Sequence, residues 1–289
     1  MAKRRWGDRR DGKRLKKLDA MHHIMPLIFP KRCESEVFMY ERIDLTNLNA
    51  YIKEKNAEKP EYRLGVFQLI VAAILKTIIL RPQLNRFITN QNMFQRNDIS
   101  AAFVVKTSFS DDAEESMAFV NAEETDTLFD LQKKIHEQIE NCRDVNKKNS
   151  TDLAMELVAK LPAFLKWIVG CIARSLDRHG MMPKSMIADD IHYASVVLTQ
   201  LGSIKLNAGY HHLTDWGTNS LFVAVGEKKM RPYYDIKGNV VMRHSIDLGI
   251  TLDERIADGY YFAKSIRLMK KLLEHPELLE LPLNEPVLY

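Results

Sequence analysis

The stretch LGVFQLIVAAILKTIIL, Leu64 to Leu80, constrains the fold more than any other in this 289-residue chain. It is apolar on nearly every side of a helix, so it has no face to offer to water and must be enclosed. Its 17 residues include Gln68 and Lys76 and fall short of the roughly 20 mostly apolar residues that cross a bilayer. We therefore expect a buried core helix and no membrane span. The helix should end at Arg81-Pro82, because proline disfavours helical backbone in the residue before it.

Around that helix the hydrophobic periods alternate in runs. LDAMHHIMPLIFPKR reads as a short helix stopping at Pro30, SEVFMYERIDL as a strand, and NLNAYIKEKNAEK as a helix with Thr46 at its N-cap. ISAAFVVKTSFS and MAFVN read as paired strands across the acidic turn SDDAEES. LFDLQKKIHEQI places Leu128, Leu131, Ile135 and Ile139 on one stripe. After the polar loop RDVNKKNST, a helical pattern runs from Asp152 to Gly180 with a break at Pro162. Then come the strands ASVVLTQLG, LFVAVGEKKMRPYYD and NVVMRHSIDLGITL, with Lys237-Gly238-Asn239 as a hairpin turn. A last helix puts Phe262, Ile266, Met269 and Leu273 on one face, before the extended tail LPLNEPVLY. Strands and helices in runs rather than strict alternation indicate an α+β layer fold. The expected organisation is a basic arm over 1–19, one domain over 20–282 and a tail over 283–289.

The formal charge of +4 is concentrated. Residues 3–17, KRRWGDRRDGKRLKK, carry nine Lys or Arg against two Asp, which leaves the remaining chain near −3. A basic arm suits nucleic acid, an anionic membrane or a subunit-clasping role. Nothing behind it resembles a nucleic-acid module, so nucleic acid is not the expected partner. No apolar run follows the arm to make a secretory signal. Cys33, Cys142 and Cys171 are odd in number and form no CxxC pair, which indicates reduced thiols and a cytoplasmic location.

Several chemistries lack their motifs. There is no glycine-rich phosphate loop, no GxGxxG, no GxSxG and no HExxH. His211 and His212 adjoin in YHHLTDWGT, and Asp189-Asp190 precede His192. Adjacent histidines on a strand face opposite ways and a third ligand is not in view, so no metal is expected. One of the pair is read as structural or substrate-lining.

The C-terminal third is more informative. TQLGSI at Thr199–Ile204, the strand ending AVG at Gly226, and TLDERIADG at Thr251–Gly259 occur in an order and spacing that resemble the dihydrolipoyl acyltransferase catalytic domains of 2-oxo acid dehydrogenase complexes, and the chloramphenicol acetyltransferases that share their fold. The family's S-x-D-H-R-x-x-D-G stands here as T-L-D-E-R-I-A-D-G, and its T-I-S-N-L-G-type segment as V-L-T-Q-L-G. Fainter likeness extends over most of residues 20–280.

The resemblance implies a mixed sheet flanked by helices and a homotrimer, with the site shared between subunits. It also implies acyl transfer from acyl-coenzyme A, used as a substrate, to a small thiol or hydroxyl acceptor. In the family a histidine takes the acceptor's proton and a hydroxyl stabilises the oxyanion, a device contributing about 3 kcal/mol. Thr199 stands at the position of that hydroxyl. Asp258 matches an aspartate whose ion pair shapes the loop, with Arg32 as the expected partner. Arg255 supports the loop, and Gly259 allows close backbone approach. No lipoyl domain is expected in this chain.

Glu254 is the departure, since it occupies the histidine's place. A carboxylate titrates near 4.3 in water and is a weak base for a thiol, although burial can raise that value. Glu254 as a working base, as a ligand-binding group and as a structural residue all remain open, as does a trimeric scaffold without catalysis. Thr199 as an ordinary strand former and His211 or His212 as a substitute base also remain open.

Overall fold

A computed structural model describes residues 5–106, 115–143 and 157–289. The turn SDDAEES lies almost wholly outside these residues, as do the loop RDVNKKNST and the first turn of the helix expected from Asp152.

The chain opens with β1 (Gly12–Arg14) and α1 (Ala20–Ile28), followed by β2 (Glu36–Asp44), α2 (Thr46–Ala57) and α3 (Val66–Leu80). Next come β3 (Arg86–Thr89), β4 (Asn92–Arg96), β5 (Ile99–Lys106), β6 (Glu115–Ala122) and α4 (Leu128–Arg143). α5 (Ala163–Arg178) and α6 (Lys184–Asp189) lead to β7 (Val196–Gln200), β8 (Leu221–Val225), β9 (Lys229–Tyr234), β10 (Val240–Asp253) and α7 (Gly259–Glu274). The large sheet runs β2-β10-β8-β7-β5-β6, with β9 hairpinned onto the first half of β10. Its centre is parallel, β5 to β7 to β8, and its flanks are antiparallel. A small sheet, β1-β4-β3, lies apart. This is the expected mixed sheet flanked by helices. Among the described residues no helix is long and apolar enough to cross a membrane.

The core helix is α3, where ten residues from Leu69 to Ile78 are buried. Lys76 is fully buried within it, and its Nζ donates to the carbonyl of Pro282 at 2.7 Å and of Leu281 at 3.3 Å. The charge that interrupts the apolar run therefore ties down the C-terminal segment, and burial holds that amine below its ordinary value. The stripes on α4 and α7 pack against the same core. Thr46 begins α2 rather than capping it, and its hydroxyl donates to Asp44 instead.

The basic arm is corrected in its inner half. β1 pairs with β4 from Gly12 to Arg14. Arg9 is buried, with its guanidinium paired to Asp11 at 2.8 Å and donating to the carbonyl of Asp177 at 2.6 Å. Those charges are therefore matched inside the fold, and residues 8–14 belong to the body.

Candidate active site

β10 carries the motif residues to one end of the large sheet. There its last residue, Asp253, has no exposure, and its carboxylate accepts from Arg255 Nε at 2.8 Å, Arg255 Nη2 at 2.7 Å and Ser35 Oγ at 3.1 Å. This two-pronged pair closes a short turn, Glu254–Ile256, and Arg255 also donates to the carbonyl of Phe29 at 2.8 Å. Arg255 thus ties the turn to Asp253 and to the backbone of Phe29.

Arg32 lies on the other side of Asp253, with its Nε 3.9 Å from Asp253 Oδ2 and unpartnered in hydrogen bonding. The rest of the guanidinium is held by backbone, donating to the carbonyls of Thr214 and, at 3.2 Å, Gly217. Burial pushes Arg32 below its ordinary range; Asp253 opposes that shift and Arg255 adds to it.

The expected partnership of Arg32 with Asp258 is therefore corrected to Asp253. Asp258 is exposed and caps α7, its carboxylate accepting from the backbone N–H of Tyr261 at 2.7 Å. A short acidic side chain at that position satisfies a free helical N–H, which leaves it turned away from the buried guanidiniums. Gly259 is corrected as well, since a Cβ there would meet nothing within 4 Å. Glu254 is half-buried, and its backbone N–H donates to the carbonyl of Ser35 at 2.9 Å.

Thr199 sits at the other end. It pairs in register with Ala224, which pairs with Gly249, five residues before Glu254 on β10. At ~3.4 Å per residue and ~4.8 Å per strand, the two are separated by about 17 Å along the sheet and about 10 Å across it. A single chain does not bring them together. Over the Thr199 end lies the strap 205–210, which needs glycine beneath it: a Cβ at Gly249 would stand 2.0 Å from the carbonyl oxygen of Gly209, and one at Gly226 2.4 Å from the nitrogen of Ala208.

His211 and His212 are exposed in a loop, not on a strand, and do not face opposite ways. Their rings stack at 4.5 Å, with His211 also stacked on Phe222 at 4.2 Å. Without a strand's pleat nothing separates them.

A polar group not selected from the sequence lies at the Glu254 end. Asp190, buried ahead of β7, accepts from the backbone N–H of His192 at 2.9 Å and from Trp216 Nε1 at 2.7 Å, and its Oδ1 is 2.7 Å from His192 Nδ1. Burial pushes Asp190 up, but the hydrogen bonds from His192 and Trp216 outweigh it and hold the carboxyl below its usual range. Nearby Arg96 is pushed down to about 10 by burial and donates to Thr218 Oγ1 at 2.7 Å. Among the described residues no three His, Cys, Asp or Glu converge to hold a metal.

Comparison with known proteins follows the same line. The family of 2-oxoacid dehydrogenases acyltransferase (catalytic domain) matches residues 181–281. The cubic core of the pyruvate dehydrogenase multienzyme complex superposes with a TM-score of 0.60 at 17% identity, covering 92% of this chain and 94% of that one. The chain has the acyltransferase catalytic-domain fold. A probable dihydrolipoamide acetyltransferase from Listeria monocytogenes gives a TM-score of 0.59 at 13% identity, covering 91% and 95% of the two chains. A chloramphenicol acetyltransferase gives 0.54 at 9% identity, covering 91% and 99%. No curated protein sequence matches. The resemblance read from the motifs thus stands on residues 181–281 by sequence and on about nine-tenths of the chain by fold.

Proposed function

We propose that the protein transfers an acyl group from acyl-coenzyme A to a small thiol or hydroxyl acceptor, within a homotrimer whose site is completed between subunits. The observation that carries this reading is the placement of Thr199 and Glu254 at opposite ends of one sheet in an acyltransferase fold. Neither end is a site alone; the Thr199 end of one subunit set against the Glu254 end of the next makes one. The β9–β10 hairpin supports association, since Met230, Tyr234, Val240 and Met242 are more than half exposed, an apolar ribbon of the kind that marks an interface.

In the reaction the deprotonated acceptor attacks the thioester carbonyl, the Thr199 hydroxyl donates to the oxyanion, and the coenzyme A thiolate leaves as the carbonyl re-forms. Glu254, where relatives carry histidine, meets the acceptor. Asp258 and Arg255 hold the loop that presents it, Arg255 through Asp253 and Asp258 through the cap of α7.

Light scattering and calorimetry test the reading together. A mass three times the 33.4 kDa of one chain and micromolar binding of coenzyme A and acetyl-coenzyme A are expected. A monomer that binds neither refutes it. A second reading, a trimer that binds without catalysis, is favoured by the carboxylate at position 254. It predicts that Glu254→Ala and Glu254→His both match the native protein in acetyl-coenzyme A turnover, whereas the first reading predicts a change in both.

A further inference from the structure

Acyl transfer to a thiol or hydroxyl needs a group that takes a proton near neutral pH, and imidazole is the side chain whose unperturbed pKa, about 6.5, suits that task. The histidine of the relatives is absent at position 254, but an oriented imidazole stands at the same end of the sheet.

The carboxylate of Asp190 accepts at 2.7 Å from His192 Nδ1, so in the neutral ring the hydrogen is on Nδ1 and Nε2 carries the lone pair. Asp190 is itself fixed on its other oxygen by Trp216 Nε1 at 2.7 Å. The His192 side chain is 38% exposed while that of Asp190 is 11% exposed, and no described residue bonds Nε2. A buried carboxylate that orients a part-exposed imidazole through Nδ1 is the arrangement of a general base and its positioning partner. Gly217 secures the pose: its φ is +72° and a Cβ there would stand 2.4 Å from the carbonyl oxygen of His192. The charges packed behind are matched among themselves, Asp177 by Arg9 and by the hydroxyl of Tyr193 at 2.7 Å.

The backbone links this group to the motif loop. The carbonyl of His192 accepts from Thr218 at 2.8 Å and Asn219 at 2.7 Å, and the next residue, Ser220, accepts from Asp253 at 3.1 Å, one residue before Glu254. His192 precedes β7 and Glu254 follows β10, the two strands that flank β8, so both lie at the same end of the large sheet.

We propose that His192, oriented by Asp190, is the general base of this site and takes the proton that relatives give to the missing histidine. Nε2 accepts the proton of the acceptor's S–H or O–H as the resulting anion attacks the acyl carbonyl. When the tetrahedral intermediate collapses, the imidazolium returns that proton to the departing coenzyme A thiolate, so protons and charge balance over the cycle. Asp190 is the positioning residue, and Glu254 contacts the acceptor. The inference rests on the acyl-transfer reading above.

The test uses the full chain with acetyl-coenzyme A and dihydrolipoamide as the thiol probe, with acetylated product measured by mass spectrometry. His192→Gln should keep coenzyme A affinity within about twofold and lose about 10²- to 10³-fold in kcat, with KM little changed. Asp190→Asn removes the charge that favours the imidazolium, so the rising acidic limb of its pH profile should move to lower pH. A purely structural pair would lower thermal stability and leave that limb in place. Imidazole NMR gives a readout that does not depend on turnover: ring resonances assigned to His192 by their loss in His192→Gln should shift when acetyl-coenzyme A binds. Coenzyme A binding with unchanged kcat in His192→Gln, or with His192 resonances that do not move, overturns this inference and leaves the acyl-transfer reading standing. Absence of coenzyme A binding by the native protein overturns both.

Discussion

At the Asp253 end of the large sheet a fully buried carboxylate lies between two buried guanidiniums, whereas at the Thr199 end the chain is shaped by backbone packed over glycine. The first end is held by charge. Its geometry is specified by hydrogen bonds that fail together, because removing one ion leaves the others buried and unpaired. The second is held by contact, and its failure is local. The charged end can therefore hold a loop in place, while the packed end offers a hydroxyl on a strand to whatever approaches.

The sharpest way to break this contrast is Asp253→Ala. Two guanidiniums would then lose their carboxylate, and we expect a loss of about 3–5 kcal/mol in urea unfolding. Gly249→Ala should act at the opposite end and more weakly, by about 1–3 kcal/mol, as its Cβ displaces the strap; limited proteolysis should then cut within 205–210 while the charged end stays intact. Asp258→Ala removes one helix cap from an exposed position and should lower stability by about 1 kcal/mol, seen as a small shift in Tm. Glu254→Gln should change stability by less than about 0.5 kcal/mol. If Glu254→Gln instead cost as much as Asp253→Ala, the loop would be held by its half-buried carboxylate and the comparison would be lost.

What could be read from the sequence follows from how local its cause is. The core helix, the α4 and α7 stripes and the β9–β10 hairpin are set by periodicity and turn chemistry within a few residues. The motif order, with the strand that ends at Asp253, was legible in the same way. The ion pair was not. Arg32 and Asp253 lie far apart in sequence, and the motif pointed to Asp258, five residues further on, which burial shows to be an exposed helix cap while Asp253 has no exposure. The docking of residues 8–14 was hidden for a related reason: a run of basic residues reads as solvated unless the carboxylate that pairs with Arg9, on α5, is known to be near. Asp190 and His192 were visible as types and spacing. What the sequence lacked was Trp216, whose indole fixes the carboxylate from a distant loop.

The contact of Arg9 with the carbonyl of Asp177 joins residues 168 positions apart. At the usual pace of synthesis, about 5–20 residues per second, the carbonyl emerges from the ribosome roughly ten to thirty seconds after the arginine. Through that interval β1 has neither its α5 anchor nor, at first, its β4 partner. Closure of the N-terminal segment is thus a late event of assembly, and it reports that the middle of the chain has already been made.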